Sequence, residues 1–106
     1  MDTIDPIHVQ VLAAVLFSLG LCAVVMRRNL FFILMGIELL LNAVNLSLIG
    51  FARTLSAEQG SLTGHIVPLF TIAVAAAEAC VGLAMVICIT RGKDTVDADA
   101  FAEMKE

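Results

Sequence analysis

Tryptophan and tyrosine are absent from all 106 residues, and proline occurs only twice. The rings that usually anchor a membrane protein at its two water interfaces are therefore missing, a hint that neighbouring proteins cover much of the surface. There is no glycine-rich phosphate loop, so nucleotide binding is not expected. There is also no Cys-x-x-Cys pair or Cys/His cluster, which argues against metal or iron–sulfur ligation. Cys22, Cys80 and Cys88 stand singly within apolar runs; they read as small buried hydrophobes, with no disulfide expected. No basic patch of the kind that binds nucleic acid is present. Charge is scarce and concentrated: the segment Asp94–Glu106 holds five acids and one lysine, which accounts for the whole net charge of −4.

What the chain has is apolar length. Sixty per cent of its residues are hydrophobic and the mean hydropathy is +1.00, far above an ordinary soluble domain. Three runs, 7–26, 30–52 and 66–90, each reach the roughly 20 residues that a helix needs to cross a hydrocarbon core of about 30 Å. The expected fold is all-α: an integral membrane protein with three transmembrane helices in residues 1–93, followed by an acidic tail, 94–106. A cleaved leader is not expected, because the first run follows Asp2 and Asp5 and ends at Met26-Arg27-Arg28 without a small-residue cleavage site.

Local signals place the ends. Asp5 can cap the first helix, with Pro6 tolerated in its first turn. The connector Arg27-Arg28-Asn29 is so short that the second helix must return antiparallel to the first, and Asn29 suits the N-cap. Residues 53–64 read as a polar loop, and Pro68 falls in the first turn of the third span. The Arg27/Arg28 turn and the Arg91/Lys93 end share one side, against Arg53 on the other. The positive-inside bias then puts the N-terminus outside and the C-terminus in the cytoplasm.

Against this background two acids stand out. Glu38 and Glu78 lie near the middle of the second and third runs, where an acidic residue costs roughly 3 kcal/mol to insert. Counted from Arg28 and Arg91 at about 1.5 Å per residue, they lie about 15 and 20 Å from the same surface, so both fall in the central third of the core. Asn42 and Asn45 follow Glu38 at i+4 and i+7, on one side of the helix. Thr71, Ala75 and Gly82 sit around Glu78 at i−7, i−3 and i+4, a small and polar face that admits a close neighbour or a few waters. Low dielectric disfavours a charged carboxylate, so carboxyls here are switchable proton carriers, and two at one depth can pass a proton sideways through Asn42 or bound water. No lysine lies in either helix, so a basic partner must come from another protein.

Plainer roles compete. A membrane-buried Glu or Asn can serve as hydrogen-bonding glue between helices. His8 and His65 fall at the outer boundary, where histidine is ordinary, and the methionines read as gap-fillers. Arg27 and Arg28 read first as topology determinants.

The assembled residues resemble a known family. Gly36-Ile37-Glu38-Leu39-Leu40-Leu41-Asn42-Ala43-Val44-Asn45 is similar to the second-helix signature of subunit K of the proton-pumping NADH:quinone oxidoreductase, bacterial respiratory complex I. Ala75-Ala76-Ala77-Glu78-Ala79-Cys80-Val81-Gly82-Leu83-Ala84 is similar to its third-helix signature. The connector and the layout of residues 7–93 match as well. The resemblance implies a subunit of the bacterial inner membrane in which Glu38 and Glu78 join a hydrophilic axis between quinone-proximal and antiporter-like subunits. It implies a functionally sensitive turn at Arg27 and Arg28. It further implies that this chain carries no cofactor, with NADH, FMN, iron–sulfur clusters and quinone on other subunits. The small subunit of a multi-subunit cation/proton antiporter, similar in plan, and a purely structural assembly subunit remain alternatives. Nothing transfers to the tail, which is left either disordered or docked on a partner through Val96, Phe101 and Met104.

Overall fold

The computed structural model describes residues 4–59, 63–92 and 96–101. Four helices follow in order: α1 Pro6–Met26, α2 Leu30–Gln59, α3 Thr63–Gly92 and the short α4 Ala98–Phe101. The first three are long and apolar enough to cross a membrane, over Pro6–Met26, Leu30–Leu55 and His65–Gly92.

The helix starts follow from local chemistry. Asp5 caps α1, its Oδ1 accepting from the Ile7 N–H at 3.0 Å, and Pro6 occupies the first turn, where no donor is needed. Arg27 is extended, which ends α1 at the connector. Asn29 then caps α2 by accepting from the Phe31 N–H at 2.9 Å.

Two boundaries differ from the sequence expectation. The polar loop expected over 53–64 is mostly helix, since α2 runs on to Gln59 and α3 begins at Thr63. Residues 53–59 contain no glycine or proline to stop the helix, and polarity alone does not end one in water. Starting α3 earlier moves Pro68 out of the first turn into the second, where a missing N–H and the ring's clash with the carbonyl four residues back are a real cost. Pro68 is fully buried, and its carbonyl accepts from the Thr71 hydroxyl at 2.9 Å.

The core is two seams that share α2. Helix α2 packs against α1 and against α3. On the first seam, small residues recur every seventh position: Ala13 and Gly20 on α1, Gly36, Ala43 and Gly50 on α2, all buried. The backbones come close there, for a Cβ built on Gly20 would lie 2.9 Å from the Gly36 carbonyl oxygen. In lipid there is no hydrophobic drive between helices, so close van der Waals packing of this kind carries the association. The second seam repeats the spacing on α3 with buried Pro68 and Ala75 and half-buried Gly82, the last of these against Leu34. Outside the seams the apolar side chains face outward, Leu69 and Phe70 for example at 68% and 70% exposure. This is the surface that lipid or other proteins cover.

Candidate functional site in the membrane

Glu38 is half-buried. It lies in an open groove of about 420 Å³ between α2 and α3, lined with Leu34, Met35, Leu39, Asn42, Ala79 and Leu83. Only Glu38 and Asn42 among these carry polar side chains, so the groove presents one carboxyl and one amide in an apolar setting. Ala79 places the third helix at this level, and Glu78 is its neighbour in the chain. The Glu78 side chain takes a different direction and is exposed on the outside of the three-helix unit.

The residues expected around Glu78 are redistributed accordingly. Thr71, Ala75 and Gly82 form the face that packs on α2: Thr71 reaches Asn45, Ala75 is buried, and Gly82 meets Leu34. The residue that completes that stripe is Ala79, with Glu78 turned about 100° away from it around the helix. The small, polar face therefore serves the contact between the two helices of this chain, and the acid stands at its flank.

Asn42 and Asn45 also part company. Asn42 is exposed and shares the groove with Glu38. Asn45 is buried at 5% exposure, and its Oδ1 accepts from the Thr71 hydroxyl, whose single proton is shared with the Pro68 carbonyl. Asn45 is thus a bond between helices.

A second bond of this kind lies outside the sequence expectation. Ser47 Oγ donates to Gln10 Oε1 at 2.6 Å, while Gln10 Nε2 donates to the Ser47 carbonyl at 3.1 Å. This two-way link joins α1 to α2, and Gly50 leaves room for it, since a Cβ there would come 2.9 Å from Gln10 Nε2. The available signal was an amide inside the first apolar run, in register with the polar side of the second.

At the connector end the arginines separate. Arg27 lies over the Phe32 ring, 4.8 Å from its centroid, and Arg28 pairs with Asp99 of the tail at 3.1 Å. The tail, expected to be disordered or docked on a partner, meets its own chain at Val96–Asp99; Met104 lies outside the described residues. The three cysteines, expected to be buried, are free and exposed on the outer faces of the helices. Among the described residues no three His, Cys, Asp or Glu side chains gather to hold a metal ion.

Comparison with known proteins agrees along nearly the whole chain. Residues 8–106 match the family model described as NADH-ubiquinone/plastoquinone oxidoreductase chain 4L. A protein of Thermomicrobium roseum named NADH-quinone oxidoreductase subunit K is 49% identical over 106 residues, covering all of both chains. Another of that name from Anaeromyxobacter sp. strain Fw109-5 is 47% identical over 95 residues, 90% of this chain and 91% of its own. The NAD(P)H-quinone oxidoreductase subunit 4L of a Synechocystis strain is 45% identical, over 90% of each chain. A match of this extent, on three helices of membrane-crossing length, makes the chain a member of the NADH-ubiquinone/plastoquinone oxidoreductase chain 4L family.

Proposed function

We propose that this chain is a membrane-arm subunit of a proton-pumping NADH–quinone oxidoreductase, and that Glu38 and Glu78 belong to its proton path. The single observation that carries the reading is the groove: one carboxyl, half-buried and beside an amide, opposite the residue next to the second carboxyl. A carboxyl that lipid should have excluded is instead held where water or a partner's side chain can reach it. What fills the groove therefore decides which groups meet the carboxyl, which is the property a coupling element needs. Electron transfer to quinone elsewhere in the complex would change charge or hydration near Glu38, and a proton would then move between Glu38 and Glu78 through Asn42 or bound water.

The chain itself performs no redox step in this reading. NADH, FMN, iron–sulfur clusters and quinone belong to other subunits, and the scattered, outward-facing cysteines supply no ligand set for a cluster. The protein sits in the bacterial inner membrane, N-terminus outside and C-terminus cytoplasmic, within a hetero-oligomer of quinone-proximal and antiporter-like subunits. Arg27 and Arg28 mark its cytoplasmic turn.

The test is Glu38→Gln in the assembled complex, with NADH oxidation coupled to quinone reduction and proton uptake measured in vesicles. Coupled turnover is expected to fall at least about tenfold, because a positioned proton-transfer group contributes about 10²–10⁴-fold and water replaces only part of that. Normal proton pumping in a fully assembled Glu38→Gln complex would refute the role. A structural reading is favoured for Asn45 alone, because it is buried and already bonded to Thr71.

A further inference from the structure

The tail pairs with the connector along its backbone. The Leu30 N–H donates to the Val96 carbonyl and the Ala98 N–H to the Arg28 carbonyl, each at 2.8 Å. Asn29 and Asp97 face each other between these two bonds as an antiparallel bridge. Asp97 then starts α4 by accepting from the Asp99 N–H at 3.0 Å, which turns Asp99 back toward the connector and onto Arg28. The Arg28 and Asp99 side chains are 77% and 64% exposed, so their pairing orients more than it holds. The two backbone bonds are the hold.

The consequence reaches α2. The first N–H groups of a helix have no partner within it. Here Asn29 satisfies Phe31, and the tail satisfies Leu30. The helix that carries Glu38 is therefore capped partly by a segment that follows α3, and the end of α3 is tied to the start of α2. The sorting of the arginines has the same origin, with Arg28 drawn to the tail and Arg27 left on Phe32.

We propose that Val96–Asp99 is a strap that completes the cap of α2, and that Asp99 is a positioning residue for Arg28. The strap's geometry stands independently of the proton path; its effect on turnover rests on that reading. In a bridge of this type the facing Cα atoms are about 4.5 Å apart, within the roughly 4.4–6.8 Å that a disulfide spans. The experiment is therefore Asn29→Cys with Asp97→Cys, in a chain whose Cys22, Cys80 and Cys88 are replaced by alanine. Membranes holding the assembled complex are treated with a mild oxidant, denatured and cut with trypsin, which cleaves between the pair at Arg53 and Arg91. Joined fragments on a non-reducing gel report the strap.

The bond is expected in most copies of the chain. Ala98→Pro removes one backbone donor at a position that tolerates proline, and should lower the ratio of joined to unjoined chains about fivefold, as loss of one hydrogen bond would. Asp99→Asn should lower it about twofold, within the range of an exposed ion pair, and Asp99→Glu should restore it. In a chain with its natural cysteines, Asp99→Asn should also reduce kcat for quinone reduction without changing KM for quinone, and Asp99→Glu should recover it. Absence of joined fragments in an assembled complex overturns the strap, as does an Ala98→Pro chain that joins as well as its parent. A joined fraction that falls in Asp99→Asn while turnover is unchanged overturns the positioning of Arg28. If Ala98→Pro does not assemble, the joining of the Asn29→Cys, Asp97→Cys parent decides the strap by itself, and Asp99→Asn, which keeps every backbone bond, decides the positioning of Arg28. Normal pumping by Glu38→Gln would remove the proton path and leave the strap standing, because the cross-link reads geometry alone.

Discussion

Gly36→Ala is the sharpest test of how the helices are held together. A Cβ at this position would lie 2.8 Å from Val24 Cγ2, 3.0 Å from the Gly20 carbonyl oxygen and 3.1 Å from Ala23 Cβ. Ordinary carbon contacts are about 3.5–4.0 Å, so α1 and α2 must part by roughly half an ångström or more. A rotamer change can relieve Val24, but the Gly20 oxygen belongs to a helix backbone and Ala23 has no rotamer to change. Overpacking of this sort costs about 1–3 kcal/mol. At 1.4 kcal/mol per factor of ten, that lowers the equilibrium for the packed pair by about 5- to 150-fold.

The other glycines grade the argument. Gly20→Ala should cost as much as Gly36→Ala, because its Cβ would meet the Gly36 carbonyl oxygen at 2.9 Å and the Leu40 nitrogen at 3.0 Å, both backbone atoms. Gly82→Ala should cost less, since its one close contact is the tip of Leu34 at 2.8 Å, which can swing away. Gly92→Ala meets nothing within 4 Å and should be neutral. The assay is the thermal midpoint of the detergent-solubilised complex, together with the amount of this chain on native gels. An assembled Gly36→Ala complex that melts with its parent, or a Gly92→Ala change more damaging than Gly36→Ala, would refute the close-packed seam.

Ser47→Ala keeps the Gln10 Nε2 bond to the residue-47 carbonyl but removes the donor to Gln10 Oε1, and should destabilise the α1–α2 pair by about 0.6 kcal/mol, the average for bonds between membrane helices, read in the same melting assay; Gln10→Leu with Ser47→Ala should recover part of the loss. Asn45→Ala should lower the melting temperature while coupled turnover in the assembled complex stays near normal, the opposite pattern to Glu38→Gln; a turnover defect at normal stability would place Asn45 in the proton path. Glu78→Gln should reduce proton pumping to a similar or lesser degree than Glu38→Gln, measured in the same vesicles, and normal pumping by both single variants and the double variant would make the carboxyls structural.

What was legible in the sequence follows from what lipid demands. Three apolar runs of about 20 residues or more read as membrane-crossing helices because that is the length a hydrocarbon core demands, and the three helices are long and apolar enough to cross. The Asp5 and Asn29 caps were readable because capping is local chemistry. The end of α2 was not: residues 53–59 are polar, and a helix continuing into water has the same composition as a loop. The seams were half visible. Gly36, Ala43 and Gly50 are spaced by sevens, but only the fold brings Gly36 and Gly50 against Gly20 and Gln10. The pairing of Val96–Ala98 with Arg28–Leu30 had no local signal, since it joins backbone groups from opposite ends of the chain. For the same reason, equal depth could be counted for Glu38 and Glu78 while their directions could not. Direction depends on which flank of α3 the small residues occupy, and Ala79, one position on from Glu78, is the residue that α2 selects.

That one-residue offset sharpens what the acids require of their surroundings. Both seams are satisfied without either carboxyl: glycine and alanine supply the contact, and Gln10–Ser47 and Asn45–Thr71 supply the hydrogen bonds. Assembly of the three helices therefore does not account for the cost of placing two acids in lipid. Glu38 opens into a groove that α1 does not line, and Glu78 points out from the far helix. Glu78 is exposed on α3, so on the proposed proton path a group that answers it would sit on whatever packs against the outer face of that helix. A charged or hydrogen-bonding residue introduced by a neighbouring subunit at that level would meet the need, whereas acyl chains there would leave the acid without a partner at the full insertion cost. Cross-linking from an exposed position beside it, such as Ala77 or Val81 replaced by a photoreactive residue, should therefore capture protein rather than lipid, and capture of lipid alone would separate Glu78 from any proton path.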